Sequence, residues 1–279
     1  MGADLPLDVH LCIIDHLWDD KLTLSNCALV CHAWVHSARI HLFDTVCVTA
    51  EVLDSFLVFL DSQSEVLPHI KTLHMLYRRG VRGRLSWPEL NIEDLTMILS
   101  HLSGLHTLHL QYMYLRGWHD GASPHARRFH LDTLWIDDCS RALHHQDSLL
   151  DIMDFICLFE SIGTLTFVMQ YWVSRISFDN WHPPHTVEIK QLSVKVNDLW
   201  WDEASMMLGK LIRLSPGPRS LSFFCGRLWS DVCATGSLLS VAGTAHLRRL
   251  TLNFSHIYLR QPPCESRRWS SSFSCSNNI

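Results

Sequence analysis

Charge is scarce in this chain. Charged residues make up 18% of its 279 positions, and they leave a formal net charge of -5. That balance excludes nucleic acid as the main partner, because phosphate binding needs a concentrated basic surface. The basic groups present, Arg78-Arg79 with Arg82 and Arg84, and Arg267-Arg268, are short. They read first as solvated loop charge and second as contacts for anions or acidic peptides. Long apolar runs are also missing. Spanning a bilayer takes ~18 consecutive apolar residues, whereas "FLVFL" and "FICLFE" are core-sized, so no membrane partner is expected. The opening "MGADLPLDVH" has no positive segment leading into an apolar one, and Pro6 breaks the myristoylation pattern.

The ten cysteines lack paired spacing. Without a secretory signal they read as reduced thiols of a cytoplasmic or nuclear protein. Nineteen histidines raise the question of a metal. The groups Cys27/Cys31/His32, His144-His145 and His182 with His185 do not follow zinc-ligand spacing, so neither a metal nor a cofactor is expected. GxSxG, P-loop, GxGxxG and kinase signatures are absent as well. An interaction protein is therefore the leading reading, not an enzyme, with a cysteine hydrolase a distant second.

What the chain has in quantity is apolar residues, 47% of its length. That suits a folded protein of one large or two modest domains. Its first forty-odd residues are dense in them. Pro6 fits a first helical turn, Asp8 suits the positive end of that helix, and Val9, Ile13 and Leu17 recur at four-residue spacing. After "WDDKLT", Thr23 or Ser25 can cap a second helix with Leu24, Cys27, Ala28 and Cys31 on one face. Trp34, Ala38, His41 and Leu42 continue into a third. These stripes would pack the three helices together. They leave over Leu5, Pro6, Ile14, Leu29, Val30 and one face of Trp34. A unit of about forty residues buries surface poorly. The surplus either packs on the rest of the chain or marks a partner site.

The segments "LPLDV", Ile13-Ile14 with Leu17, and "LVC" at Leu29 to Cys31 with Trp34 follow one another in a fixed order. Over residues 4 to 44 they resemble the F-box, and in particular the F-box-like domains abundant in mushroom-forming fungi. His32 stands where that motif usually has Arg or Lys, and the "WDDKLTL" loop departs from its commonest spacing. The resemblance implies a three-helix unit docking a Skp-type adaptor, and through it a cullin. The docking residues it implies are Leu5, Pro6, Val9, Ile13, Ile14, Leu17, Leu29, Val30, Cys31 and Trp34.

From Ile70 a short phrase, apolar-x-x-Leu-x-apolar, keeps returning. It reads "IKTLHM", "LHTLHL", "LDTLWI", "IGTLTF", "IKQLSV", "PRSLSF" and "LRRLTL". Its central leucines are Leu73, Leu108, Leu134, Leu165, Leu192, Leu221 and Leu250, at intervals of 35, 26, 31, 27, 29 and 29 residues. Alternation at the Leu-x-apolar end predicts a short strand. Helical patterns lie between, in "VLDSFLVFLDS", "IEDLTMILSHL", "DSLLDIMDFICLFESI" and "DEASMMLGKLIRL". A strand–helix period near thirty predicts an irregular leucine-rich-repeat-like solenoid with parallel strands on its concave face. Cys139 and Asn197 fall at that repeat's next consensus position, and "WVSRISFDNWHPPHTVE" reads as a loop insertion.

The expected organisation is α/β: an F-box-like unit over 1–45, the solenoid over 46–256, and a disordered Ser- and Arg-rich tail over 257–279. No polar cap is visible after Leu252, so the expectation is a truncated or misjoined end. F-box followed by repeats is the layout of a ubiquitin-ligase substrate receptor. A protein target of unknown identity would contact the aromatic clusters Tyr112/Tyr114/Trp118, Tyr171/Trp172 and Trp200-Trp201, or else these cover helix–strand seams. A repeat scaffold whose F-box contacts no ligase is the open alternative.

Overall fold

The computed structural model describes residues 6–62, 64–77, 88–117, 128–139, 148–169, 184–196, 209–212, 214–215, 218–225, 248–254 and 272–275. Three short helices come first: α1 (Leu7–His16), α2 (Lys21–Cys27) and α3 (His32–Phe43). Asp20 starts α2, its carboxylate accepting from the Thr23 N–H at 3.0 Å and from the Thr23 hydroxyl at 2.6 Å. These bonds hold the Asp20 carboxyl below its usual range. The cap is therefore Asp20, not Thr23 or Ser25. An aspartate can satisfy an orphan helical N–H as well as a hydroxyl can, and here Thr23 supplies the N–H. Two side-chain contacts tie the helices together. His41 on α3 meets the Asp15 carboxylate of α1 at 2.8 Å, and the Lys21 ammonium of α2 donates to the His41 carbonyl.

The remainder is built on one sheet. Its strands are β1 (Thr45–Thr49), β2 (Thr72–Leu76), β4 (Thr107–Gln111), β6 (Phe129–Asp137), β7 (Phe159–Met169), β8 (Glu188–Val196), β9 (Ser220–Cys225), β10 (Arg249–Phe254) and β11 (Ser272–Cys275). From β1 to β10 every strand pairs in parallel with the next one in the list. Only β11 runs antiparallel, against β10. The protein is thus mixed α/β with a mostly parallel sheet. Two short strands, β3 (Glu89–Asn91) and β5 (Tyr114–Arg116), form a separate parallel pair.

Register turns the repeated phrase into geometry. Leu73 lies opposite Leu108, Leu108 opposite Leu134, Leu134 opposite Leu165, and so on through Leu192 and Leu221 to Leu250. At the strand starts one carbonyl serves two successive N–H groups of the next unit. Asp44 O accepts from Lys71 and Thr72, Lys71 O from His106 and Thr107, and His106 O from Asp132 and Thr133. Alternation then sends Leu73, Met75, Leu108, Leu110, Leu134, Ile136, Leu165, Phe167, Leu192 and Val194 into the core.

Helices α4 (Leu53–Asp61), α5 (Ile92–His101) and α6 (Ser148–Ile156) deliver Phe56, Leu60, Leu95, Ile98, Ile152 and Phe155 to the same cluster. Residues 209–212 are helical too, and Leu211 joins that cluster. Each layer covers its neighbour, so the apolar stripe of a helix and one face of the sheet leave water together.

Three expectations need correction. The third helical pattern, read through Ile162, stops at Ile156. Phe159 already opens β7, because alternating burial there outcompetes the helical reading of "CLFESI". An eighth phrase exists upstream of Ile70. Val46 on β1 lies opposite Leu73, 27 residues before it, with Val where the phrase has Leu. Lastly, the segment expected to be a disordered tail contains β11, whose pairing with β10 supplies backbone partners that composition does not reveal. The "WVSRISFDNW" insertion, Asn197, Arg78-Arg79, Arg82, Arg84, Arg267-Arg268, His144-His145 and His182 lie outside the described residues.

Candidate interaction surfaces

The three N-terminal helices close on a core of Ile14, Leu24, Cys27 and Ala38, with Leu17, Ala28, Trp34 and Leu42 packed at its edge. Four buried residues are few for three amphipathic helices, and the consequence is visible outside. Leu29 is 84% exposed, Leu22 75%, Val30 65% and Trp18 62%, and Leu7 is exposed as well. Of the nine large apolar side chains exposed among the described residues, only Val52 and Val58 lie beyond Val30. Single exposed apolar residues need no explanation, but a concentration within one small unit does.

The expected docking residues divide in two. Pro6, Val9, Ile13, Leu29, Val30 and Cys31 are exposed, whereas Ile14 is core and Leu17 and Trp34 pack against it. Leu5 lies outside the described residues. The inward stripe of α1 thus keeps Leu17 of the expected set but takes Ile14 in place of Ile13. Ile14 is the buried member, and Val9 and Ile13 turn outward. The reason is His10, which sits one turn before Ile14 and meets the Trp34 ring edge-on at 5.7 Å. An imidazole covering an indole occupies a place that a purely apolar count assigns elsewhere. Cys31 is also displaced, since it precedes α3 in extended conformation instead of ending the stripe of α2. Leu7, Trp18 and Leu22 were not singled out by the motif. Their signal is that they fall off every stripe that closes the helical core.

The second surface is the sheet face opposite the core. Register aligns three rows across it. The first runs Thr72, Thr107, Thr133, Thr164; the second Cys47, His74, His109, Trp135, Thr166; the third Leu76, Gln111, Asp137, Val168, Lys195. Most of these residues are half-buried. His109 meets Trp135 at a tilt of 50° with ring centroids 5.3 Å apart, and the Lys195 ammonium lies 5.1 Å from the Trp135 ring centre. Gln111 donates to Asp137 at 3.0 Å. Burial raises the Asp137 carboxyl above the usual range, opposed by that bond and by Lys195.

Of the expected aromatic contacts, Tyr112 and Tyr114 are half-buried. Tyr112 follows β4 at φ 55° and Tyr114 belongs to β5, so neither stands in the rows of the open face. Trp118, Tyr171, Trp172, Trp200 and Trp201 lie outside the described residues. Asp138 repeats the positive φ of Tyr112 one strand later, at 51°. Each is followed by a buried residue, Met113 and Cys139. Cys139 is the consensus position read from sequence, and Met113 is its unforeseen equivalent. Burial pushes the thiols of Cys139 and Cys157 up to about 12, which leaves them unreactive.

Among the described residues no helix is long and apolar enough to cross a membrane. Comparisons with protein-family models, with curated proteins and with solved structures find no match for this chain.

Proposed function

We propose that this chain is the substrate-recognition subunit of a Skp–cullin–F-box ubiquitin ligase. In this reading the N-terminal helices are an F-box that docks a Skp-type adaptor, and the strands and helices after them are a leucine-rich-repeat-like solenoid that holds a protein target. The chain then does no bond-making itself and works in the cytoplasm or nucleus, where such ligases assemble. The observation that carries the reading is the mismatch at the N-terminus. Four buried residues sit beside exposed Leu7, Trp18, Leu22, Leu29 and Val30. Burying such a side chain is worth about 1.5–3 kcal/mol, so a partner covering several of them gains enough for a stable complex. The sheet supports the second half of the reading, since each unit contributes one strand beside its predecessor's, the neighbour-only arrangement of a repeat array.

The test is co-purification of the full chain with a fungal Skp-type adaptor. Wild-type protein retains the adaptor. Leu29→Ser/Val30→Ser loses it while keeping its circular dichroism, because neither side chain supports the fold. Trp34→Ala is the poorer probe, since Trp34 packs against the helical core. Absence of binding by folded wild-type protein would remove the ligase role and leave a repeat scaffold.

A further inference from the structure

The middle row of the open face contains an arrangement that adaptor docking does not use. His74 on β2 and His109 on β4 face each other directly in register, and their Nδ1 atoms are 3.1 Å apart. Their rings meet edge-on, with centroids 5.2 Å apart. Two imidazole nitrogens at that distance bond only if one bears a proton and the other is bare. The contact therefore holds one proton, neither none nor two.

The other nitrogen of His109 decides which ring owns it. His109 Nε2 is buried and has no hydrogen-bond partner. A buried N–H without an acceptor is the rarer and more costly orphan. In the neutral pair His109 thus keeps its proton on Nδ1 and donates to His74 Nδ1, while His74 carries its own on Nε2.

Adding a proton has no inexpensive outcome. Placed on His74, it makes His74 the donor and forces the His109 proton onto Nε2, where nothing accepts it. Placed on His109 Nε2, it creates a half-buried imidazolium beside a Trp135 ring that already faces the Lys195 ammonium. A further proton sets N–H against N–H at 3.1 Å and breaks the contact. The charged and titratable groups flanking the pair on this face, among the described residues, are Cys47 on β1, Asp137 on β6 and Lys195 on β8. Asp137 is a weak counter-ion, because burial favours its protonated form and Gln111 already holds one oxygen.

We propose that His74 and His109 form a one-proton latch between β2 and β4, closed at neutral pH and opened by acid, which makes the open face a pH-sensitive surface. Burial first, and the charge of His74 second, push His109 below an ordinary histidine. A base shifted down in the folded state binds fewer protons there than in the unfolded chain. The latch is accordingly at full strength above about pH 6.5, the ordinary histidine value, and its stabilisation is lost as the pH falls from there.

The experiment is nitrogen NMR of the imidazoles in the full-length protein, together with melting midpoints of wild type, His109→Gln and His74→Gln between pH 8 and 5. The expected result at pH 7.5 is His109 protonated on Nδ1 and bare on Nε2, with a titration midpoint under 6.5. The advantage of wild type over His109→Gln then shrinks steadily as the pH is lowered, since glutamine does not titrate. A proton on His109 Nε2 at pH 7.5, a midpoint at or above 6.5, or a pH-independent difference between wild type and variant overturns the latch. If His109→Gln does not fold, His74→Gln and the wild-type titration decide the matter.

Discussion

The helical unit at the N-terminus and the sheet that follows it treat their apolar residues in opposite ways. In the sheet, nearly every apolar residue of the repeated phrase finds a neighbour from the next phrase. Leu73, Leu108, Leu134 and Leu165 share one row with no more than 1% exposure. In the helical unit, Leu22, Leu29 and Val30 stay in water although Ile14, Leu24 and Ala38 are fully buried. The difference is one of repetition. A unit with a copy of itself on each side can cover its own apolar face. A single three-helix unit has no such neighbour, and the apolar surface it cannot cover stays exposed. The two regions are still continuous, because Phe43 at the end of α3 packs on the sheet cluster and Asp44 O accepts from Lys71 and Thr72.

This contrast can be broken at its strongest point first. Leu165→Ala opens a cavity in the middle of the leucine row and costs about 2–5 kcal/mol, read from the midpoint of chemical denaturation. Loss of protection in hydrogen exchange should spread through β6, β7 and β8 together. Ile14→Ala truncates one of the two large, fully buried residues of the small core, at a cost of about 2–3 kcal/mol. Its effect should stay local, with residues 7–43 losing amide protection while the sheet keeps its own. Gly163→Ala sharpens the picture of how closely the units stack. A Cβ there would sit 2.6 Å from the Asp132 carbonyl oxygen of the neighbouring strand. Backbone cannot yield as a flexible side chain does, so about 1–3 kcal/mol of overpacking is expected in the denaturation midpoint. Smallest is Leu29→Ser/Val30→Ser, which should leave stability within about 0.5 kcal/mol of wild type.

Much of the sheet was legible in the chain, because its units recur at intervals of 26 to 35 residues with the same central leucine. Where the leucine is absent the signal fails: Val46 fills the same place in β1 without matching the phrase. Short stretches such as "CLFESI" carry both helical and strand patterns, and only the packing of Phe159 and Ile162 decides between them. On α1 two stripes at four-residue spacing competed, and counting apolar letters chose Val9 and Ile13 over His10 and Ile14. A histidine that packs against tryptophan is invisible to such a count. The open-face row of His74, His109 and Trp135 follows the central leucine each time, so its positions were on view. Its contacts were not, since they join residues 35 and 26 apart in sequence and depend on register alone.

The proposed docking surface is the set of uncovered apolar side chains of residues 7–30. It is tested most directly by titrating a purified Skp-type adaptor calorimetrically into wild type, Leu29→Ser/Val30→Ser, and a control exposed on the sheet side, Val58→Ser. Wild type and the control should bind alike, and the double variant should bind at least about tenfold more weakly, the equivalent of roughly 1.4 kcal/mol. Equal binding by all three folded proteins, or none by wild type, would contradict the account.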